Sequence, residues 1–318
     1  MLKLSIATGI AEFYRGGKKM RGIEDALGGL MDAGYRCFDL SLCYPNRKEH
    51  FLCGDDWEAR VDALGEFAAS RGITFGQCHL PYPASSSTEL DPHFREPGYM
   101  EWFTEQMRRA IIAASRLGIP YGVVHPNTYV ADLSSTSRSR EKNRAFYGPF
   151  VEQGLACGVA FMFETMRPDT IHWRIPYRYC ELPEQLIDLV DSFGDPRIGI
   201  CWDTGHSNHA KINQPAEIRA AGSRIRVLHL DDNHYNNRDE HYLPFMGTVD
   251  WDGVIDALID IGYRGTLNYE VGPSAKGAPA DLQPVFWKTA YRNAEMFRDR
   301  LEARRAEKSA GKEERNEQ

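Results

Sequence analysis

Six acidic or histidine side chains stand where short apolar runs of the chain stop: His79, His125, Glu164, Asp203, His229 and Glu270. Residues 197–206, Arg-Ile-Gly-Ile-Cys-Trp-Asp-Thr-Gly-His, are the plainest case. The apolar run 198–202 breaks off at Asp203, and His206 follows three residues later. A run this short, entered through Gly194-Asp195-Pro196, reads as a buried strand rather than a helix. Thr204-Gly205 then turns the chain so that His206 points back toward Asp203. Taken alone, Asp203 also fits as the cap of the next segment and His206 as an ordinary loop histidine. Recurring at successive strand ends, the pattern points to a divalent-cation site of carboxylate oxygens and imidazole nitrogens.

Such a site has a second use. Two carboxylates facing each other across a cation are also an acid/base pair. A substrate carbonyl and its neighbouring hydroxyl, chelated together, acidify the C–H between them and stabilise the enediolate that forms. One carboxylate removes that proton and the other returns it, at the opposite face for epimerisation or at the adjacent carbon for isomerisation.

The elements that must carry these residues repeat. An amphipathic helix, a glycine and a short apolar strand follow one another in seven units, with glycines at 34, 72, 118, 158, 194, 222 and 262. Glycine there accepts the left-handed conformation that stops a helix. Two units share letters, Asp32-Ala33-Gly34-Tyr35-Arg36 and Asp260-Ile261-Gly262-Tyr263-Arg264. With residues 4–7 as a first strand and a last helix over about 282–303, the count is eight strands and about eight helices. Strict alternation implies parallel strands with right-handed crossovers. The reading is α/β, a single-domain (β/α)8 barrel over 1–303, with a doubly wound open sheet as the alternative. The charged residues 304–318 read as a disordered tail. Long polar or aromatic segments, 81–97, 127–142, 165–181 and 231–248, fall after strands, on the side where barrels carry their active-site loops.

Composition narrows the class. The chain has 318 residues, 42% hydrophobic, with a net charge of −7. That balance gives no general attraction to nucleic acid or to an anionic membrane, and no apolar stretch has transmembrane length. Seven cysteines without a Cys-x-x-Cys pair argue against a disulfide framework and a thiolate zinc site. Cys37, Cys78 and Cys201 read as small core residues, and a reduced, cytoplasmic setting is expected.

Phe163-Glu164, Asp203-Thr204-Gly205-His206, Val227-Leu228-His229-Leu230-Asp231, the segment 247–251, Gly262-Tyr263-Arg264-Gly265 and Tyr269-Glu270 together carry a family resemblance. The chain resembles the xylose-isomerase-like barrels, meaning the sugar phosphate isomerases and epimerases and, more distantly, the endonuclease IV type, over about residues 1–300. The resemblance implies one divalent cation (Mn, Zn, Co or Mg) held by Glu164, Asp203, His229 and Glu270, with Glu164 and Glu270 also moving the proton. It implies that His206 contacts substrate hydroxyls and that Arg238 steadies the substrate. Ketose 3-epimerases of this group carry a further substrate-binding glutamate shortly after the first ligand, where 165–170 offers only Asp169. In the other direction, His79, His125, His206, Asp239 and His241 match the additional ligands of a three-zinc nuclease, although Gly205 stands where those enzymes have cysteine.

Three readings therefore stay open. The first is an isomerase or epimerase of a small sugar, polyol or sugar phosphate. The second is an inosose-type dehydratase or lyase running through the same enolate. The third is an endonuclease IV-like zinc enzyme with more than one zinc, which the acidic charge disfavours. The expected partner is a small sugar or polyol, without nucleic acid or membrane; a homo-oligomer is compatible with the sequence. Residues 271–277, with Gly272, Ser274 and Lys276, fit a phosphate loop and an ordinary loop equally.

Overall fold

The computed structural model describes residues 1–11, 14–15, 18–19, 22–43, 50–83, 86–129, 136–168, 177–235, 240–272, 279 and 281–316. Its strands are β1 (Leu4–Ala7), β2 (Cys37–Ser41), β3 (Thr74–His79), β4 (Tyr121–Val124), β5 (Ala160–Glu164), β6 (Gly199–Asp203), β7 (Ile225–His229) and β8 (Leu267–Tyr269). They pair in parallel in the order β8-β1-β2-β3-β4-β5-β6-β7. A parallel bridge between Leu230 and Tyr269 joins the two ends, with Leu230 N donating to Asn268 O at 2.8 Å. The sheet is therefore a nearly closed barrel, and the open-sheet alternative falls.

Around it run α1 (Ile23–Ala33), α2 (Trp57–Ser70), α3 (Tyr99–Arg116), α4 (Thr136–Ala156), α5 (Pro183–Ser192), α6 (Thr204–His209), α7 (Gln214–Ala221), α8 (Trp251–Asp260) and α9 (Gln283–Asn316). All seven expected helix-stop glycines have positive φ, from 59° at Gly222 to 126° at Gly34. Cys37, Cys78 and Cys201 are buried and free.

Four features depart from the sequence reading. A two-stranded antiparallel ribbon, Tyr14–Arg15 with Lys18–Lys19, lies between β1 and α1. α4 starts at Thr136, so half of the expected loop 127–142 is outside the irregular segment. Buried Asn143 anchors this start, donating to Ser139 O and Asn127 O at 2.8 Å each, and the polar residues around it hide the helical pattern. The turn expected at 204–205 is the first turn of α6. Finally, α9 continues through Asn316, where disorder is expected from 304. Two of its charges reach α8: Arg304 pairs with Asp256 at 2.9 Å, and Lys308 with Asp256 and Asp260 at 3.0 and 2.8 Å.

Strand register decides which residues face the barrel axis, because paired residues in a parallel sheet share a face. Ser41 pairs with His79, His79 with Val123, Glu164 with Cys201, and Asp203 with His229. Ser41, His79, Glu164, Asp203 and His229, the last residues of their strands, form the upper level of the interior, with Glu270 just past the end of β8. Two residues back along their strands lie Asp39, Gln77, Met162, Cys201, Val227 and Asn268. The intervening residues, such as Phe38, Leu40, Trp202 and Leu228, belong to the large apolar layer between sheet and helices.

That layer is tight where α1 meets α9. A Cβ added at Gly29 would stand 2.5 Å from Cζ3 of Trp287, a ring only 2% exposed. Gly29→Ala gains about 1 kcal/mol of helix propensity but forces overpacking that costs about 1–3 kcal/mol. Urea unfolding is expected to show net destabilisation; a stabilised variant would mean that this contact is loose.

Candidate metal centre

The upper level brings four donors together. Glu164 ends β5, Asp203 ends β6, His229 ends β7, and Glu270 follows β8 by one residue. Their ligand atoms all lie within 4.8 Å of one another. His229 Nδ1 stands 2.9 Å from Glu270 Oε2, 3.1 Å from Glu164 Oε1 and 3.8 Å from Asp203 Oδ2. Glu164, Asp203 and His229 are fully buried, while the Glu270 side chain keeps 29% exposure at the mouth.

Asp203 divides its two oxygens between fold and site. Oδ1 accepts the N–H of His206 at 2.6 Å and so caps α6. Oδ2 is buried and has no hydrogen-bond donor among the described residues. An orphaned carboxylate oxygen beside two more carboxylates and an imidazole is a poor protein interior but a suitable set of donors for a divalent cation. The electrostatics agree. Burial, Asp231, Glu164 and Glu270 push the Asp203 carboxyl well above its usual range, with His206 opposing. Burial also opposes charge on Glu164, but His229 and His125 outweigh it and hold that carboxyl well below the usual range. Excess carboxylate in one enclosed volume calls for positive charge.

A second group abuts the first. Glu164 Oε2 lies 3.0 Å from His125 Nε2 and 3.4 Å from His79 Nε2. His79, His125 and Glu164 thus form a further set close enough to hold an ion. His79 Nδ1–H donates to Leu80 O at 3.2 Å, which leaves Nε2 facing the group. His125 Nδ1 meets Ser86 Oγ at 3.0 Å, and Ser86 takes a left-handed φ of 48° to reach it. Burial pushes His125 down to about 4, against the pull of Glu164. The Tyr82 ring covers His125 at 3.8 Å between centroids and forms one wall of the mouth.

His206 and His241 close the other side. His206 Nδ1–H donates to Thr165 O at 2.8 Å and lies 3.3 Å from Glu164 Oε1. His241 Nδ1–H donates to Glu270 O at 2.7 Å and stands 2.8 Å from Asp231 Oδ2. It does so from a left-handed φ of 45°, a conformation that costs a non-glycine residue about 1–3 kcal/mol. Asp231 also accepts from Gly205 N at 2.7 Å, and any Cβ at Gly205 would run into that carboxylate. Cysteine, the residue of the nuclease pattern, has no room there. Asp232 braces the β7–α8 loop, accepting from Gly247 N, Val249 N and Trp251 Nε1 at 2.8–3.1 Å.

Every expected site residue that is described lies in this mouth: His79, His125, Glu164, Asp203, His206, His229, His241 and Glu270. Arg238, Asp239, Asp169 and residues 273–277 lie outside the described residues. Of the expected loop 165–181, residues 169–176 lie outside the described residues; Tyr179 packs into the core at 1% exposure, Arg178 is buried and Tyr177 half-buried. Strand-end reasoning passes over Asp39, Gln77 and Asn268, which sit one level lower. Asp39 Oδ2 accepts from His229 Nε2 at 3.1 Å, Gln77 Nε2 at 2.9 Å and Asn268 Nδ2 at 3.0 Å. Their signal was period-two alternation: Cys37, Asp39 and Ser41 share the inward face of β2, and a charge in mid-strand needs a partner.

The chain is similar to several known proteins. An uncharacterised protein of Sinorhizobium fredii is 26% identical over 302 residues, 88% of this chain and 89% of that one. The D-psicose 3-epimerase of Ruminiclostridium cellulolyticum is 24% identical over 217 residues, 67% of this chain and 68% of the enzyme. Among solved structures, a D-psicose 3-epimerase crystallised with D-fructose superposes with a TM-score of 0.71 at 13% identity, covering 93% of this chain and 99% of that one. The model of the xylose isomerase-like TIM barrel family matches residues 30–290. With the barrel and its ring of strand-end donors, this match shows that the chain belongs to the xylose isomerase-like TIM barrel family.

Proposed function

We propose that the chain is a divalent-metal-dependent isomerase or epimerase of a small sugar, polyol or sugar phosphate. The observation that carries this reading is the convergence of Glu164, Asp203, His229 and Glu270, with Asp203 Oδ2 left without a donor. These four would hold the cation (Mn, Zn, Co or Mg). When bound, such an ion supplies Lewis-acid polarisation of a chelated carbonyl and hydroxyl. The similarity to D-psicose 3-epimerases supports a sugar substrate.

The chain's own residues supply the rest. Glu164, enclosed and held ionised by its histidines, takes the proton from the carbon beside the carbonyl. Glu270, at the open edge of the mouth, takes up a proton from solvent and delivers it from its own side of the resulting enediolate. His206 and His241 present imidazoles to substrate hydroxyls. The Tyr82 ring excludes water on one side and offers an apolar face to the carbon skeleton. Among the described residues no helix is long and apolar enough to cross a membrane.

A second reading is favoured by one observation, the adjoining His79–His125–Glu164 group. His79, His125 and Glu164 would hold a second zinc ion there, and that ion would supply Lewis-acid and water-activating chemistry for hydrolysis or dehydration. Two measurements separate the readings. The purified protein is expected to carry one ion per chain by elemental analysis. With ketoses in D2O and added Mn2+ or Co2+, it is expected to wash deuterium into one substrate carbon. More than one zinc with cleavage of an abasic duplex favours the nuclease. Loss of water from a keto-inositol, seen by mass, favours the lyase. No wash-in with any sugar under any of the four metals sinks the isomerase.

A further inference from the structure

We infer that Asp39 is a positioning residue for the metal centre, a buried carboxylate that determines which nitrogen of His229 faces the cation. The inference rests on the metal-dependent reading above. His229 is wholly enclosed, and its two ring nitrogens look in opposite directions. Nδ1 faces Glu164, Asp203 and Glu270; Nε2 faces Asp39 Oδ2 at 3.1 Å. A neutral imidazole carries one proton, and the nitrogen that binds a metal must be the bare one. A carboxylate oxygen only accepts, so Asp39 keeps a proton on Nε2, and Nδ1 is the nitrogen that gives up its proton to a cation among the three carboxylates. Donation to a carboxylate also makes the imidazole a stronger ligand.

Asp39 is itself held in place. Gln77 from β3 and Asn268 from β8 donate to the same Oδ2 at 2.9 and 3.0 Å, and the residue is 2% exposed. With His229 from β7, side chains of three other strands meet one oxygen carried by β2. The rest of the same level is filled differently. Val123, Met162, Cys201 and Val227, on β4 to β7, form a separate apolar cluster inside the barrel. Polar residues at this level thus gather beneath His229, where an orientation must be fixed, and apolar ones fill the space where none is needed.

The test uses the full chain, stripped of metal and titrated with Mn2+ by calorimetry. Asp39→Asn keeps the size and one acceptor oxygen but removes the charge. It is expected to bind Mn2+ about 10–100-fold more weakly, with KM unchanged and kcat at saturating Mn2+ within a few-fold of the parent. The thermal unfolding of its apo form should match the parent's. A second measurement needs no variant: in protein labelled with [15N]-histidine, Zn2+ should shift His229 Nδ1 while Nε2 keeps a slowly exchanging proton. Equal Mn2+ affinity in Asp39→Asn and parent, or a metal-shifted Nε2, overturns the inference and leaves the metal reading intact. A parent protein that binds no Mn2+ or Zn2+ sinks both.

Discussion

Glu164→Gln is expected to lower kcat by at least about 10³-fold, near the upper range for losing a general base. Glutamine has the same shape, so the enclosed position remains filled and the barrel is expected to fold. What it lacks is charge and a second acceptor. Glu164 Oε1 stands 3.1 Å from His229 Nδ1 and Oε2 stands 3.0 Å from His125 Nε2. An amide must aim N–H at one of those imidazoles, and it neither takes a proton nor balances a divalent ion. Base and ligand are lost together. Steady-state kinetics at saturating metal, with deuterium wash-in as the single-step readout, check this. Activity within tenfold of the parent would remove Glu164 from the proton path.

Chelation is expected to abolish activity and to lower the melting temperature. A ligand that binds only the folded chain stabilises it by about 2.7 kcal/mol at a hundredfold excess over Kd, or roughly 5 °C for a chain of this length. The gain is greatest where the empty site is least comfortable, and here Glu164, Asp203, Asp231 and Glu270 share one mouth with Asp203 pushed up by the others and by burial. His229→Ala should melt at the same temperature with or without Mn2+. Differential scanning calorimetry with EDTA and with re-added metal reads both arms. A parent protein whose melting ignores metal would leave the four donors as a structural ion cluster.

The barrel and the clustering of the candidate donors were legible because each rests on a short-range signal. Helix, stop glycine and apolar strand recur with little interruption, and all seven stop glycines take the positive φ that their position required. The donors were legible because four of them, His79, Glu164, Asp203 and His229, are the last residues of their strands, and His125 and Glu270 follow by one. What stayed hidden depends on register across strands. Asp39 lies two residues short of the end of β2, and the pairing of β2 with β1, of β1 with β8, and the closure through Leu230 and Tyr269 bring it to His229. α6 stayed hidden because a six-residue helix capped by the aspartate that ends a strand reads as a turn. Composition hid the helix past 303, since Arg304 and Lys308, charges that look solvated, pair with Asp256 and Asp260 of α8.

The length of α9 has a practical corollary. At 34 residues it spans about 50 Å, and Arg305 contacts Tyr263 O, on the face opposite the donors. This part of α9 therefore lies away from the mouth. A solid support attached through an exposed residue of this stretch, such as Glu307, would leave the mouth of every copy facing bulk solution.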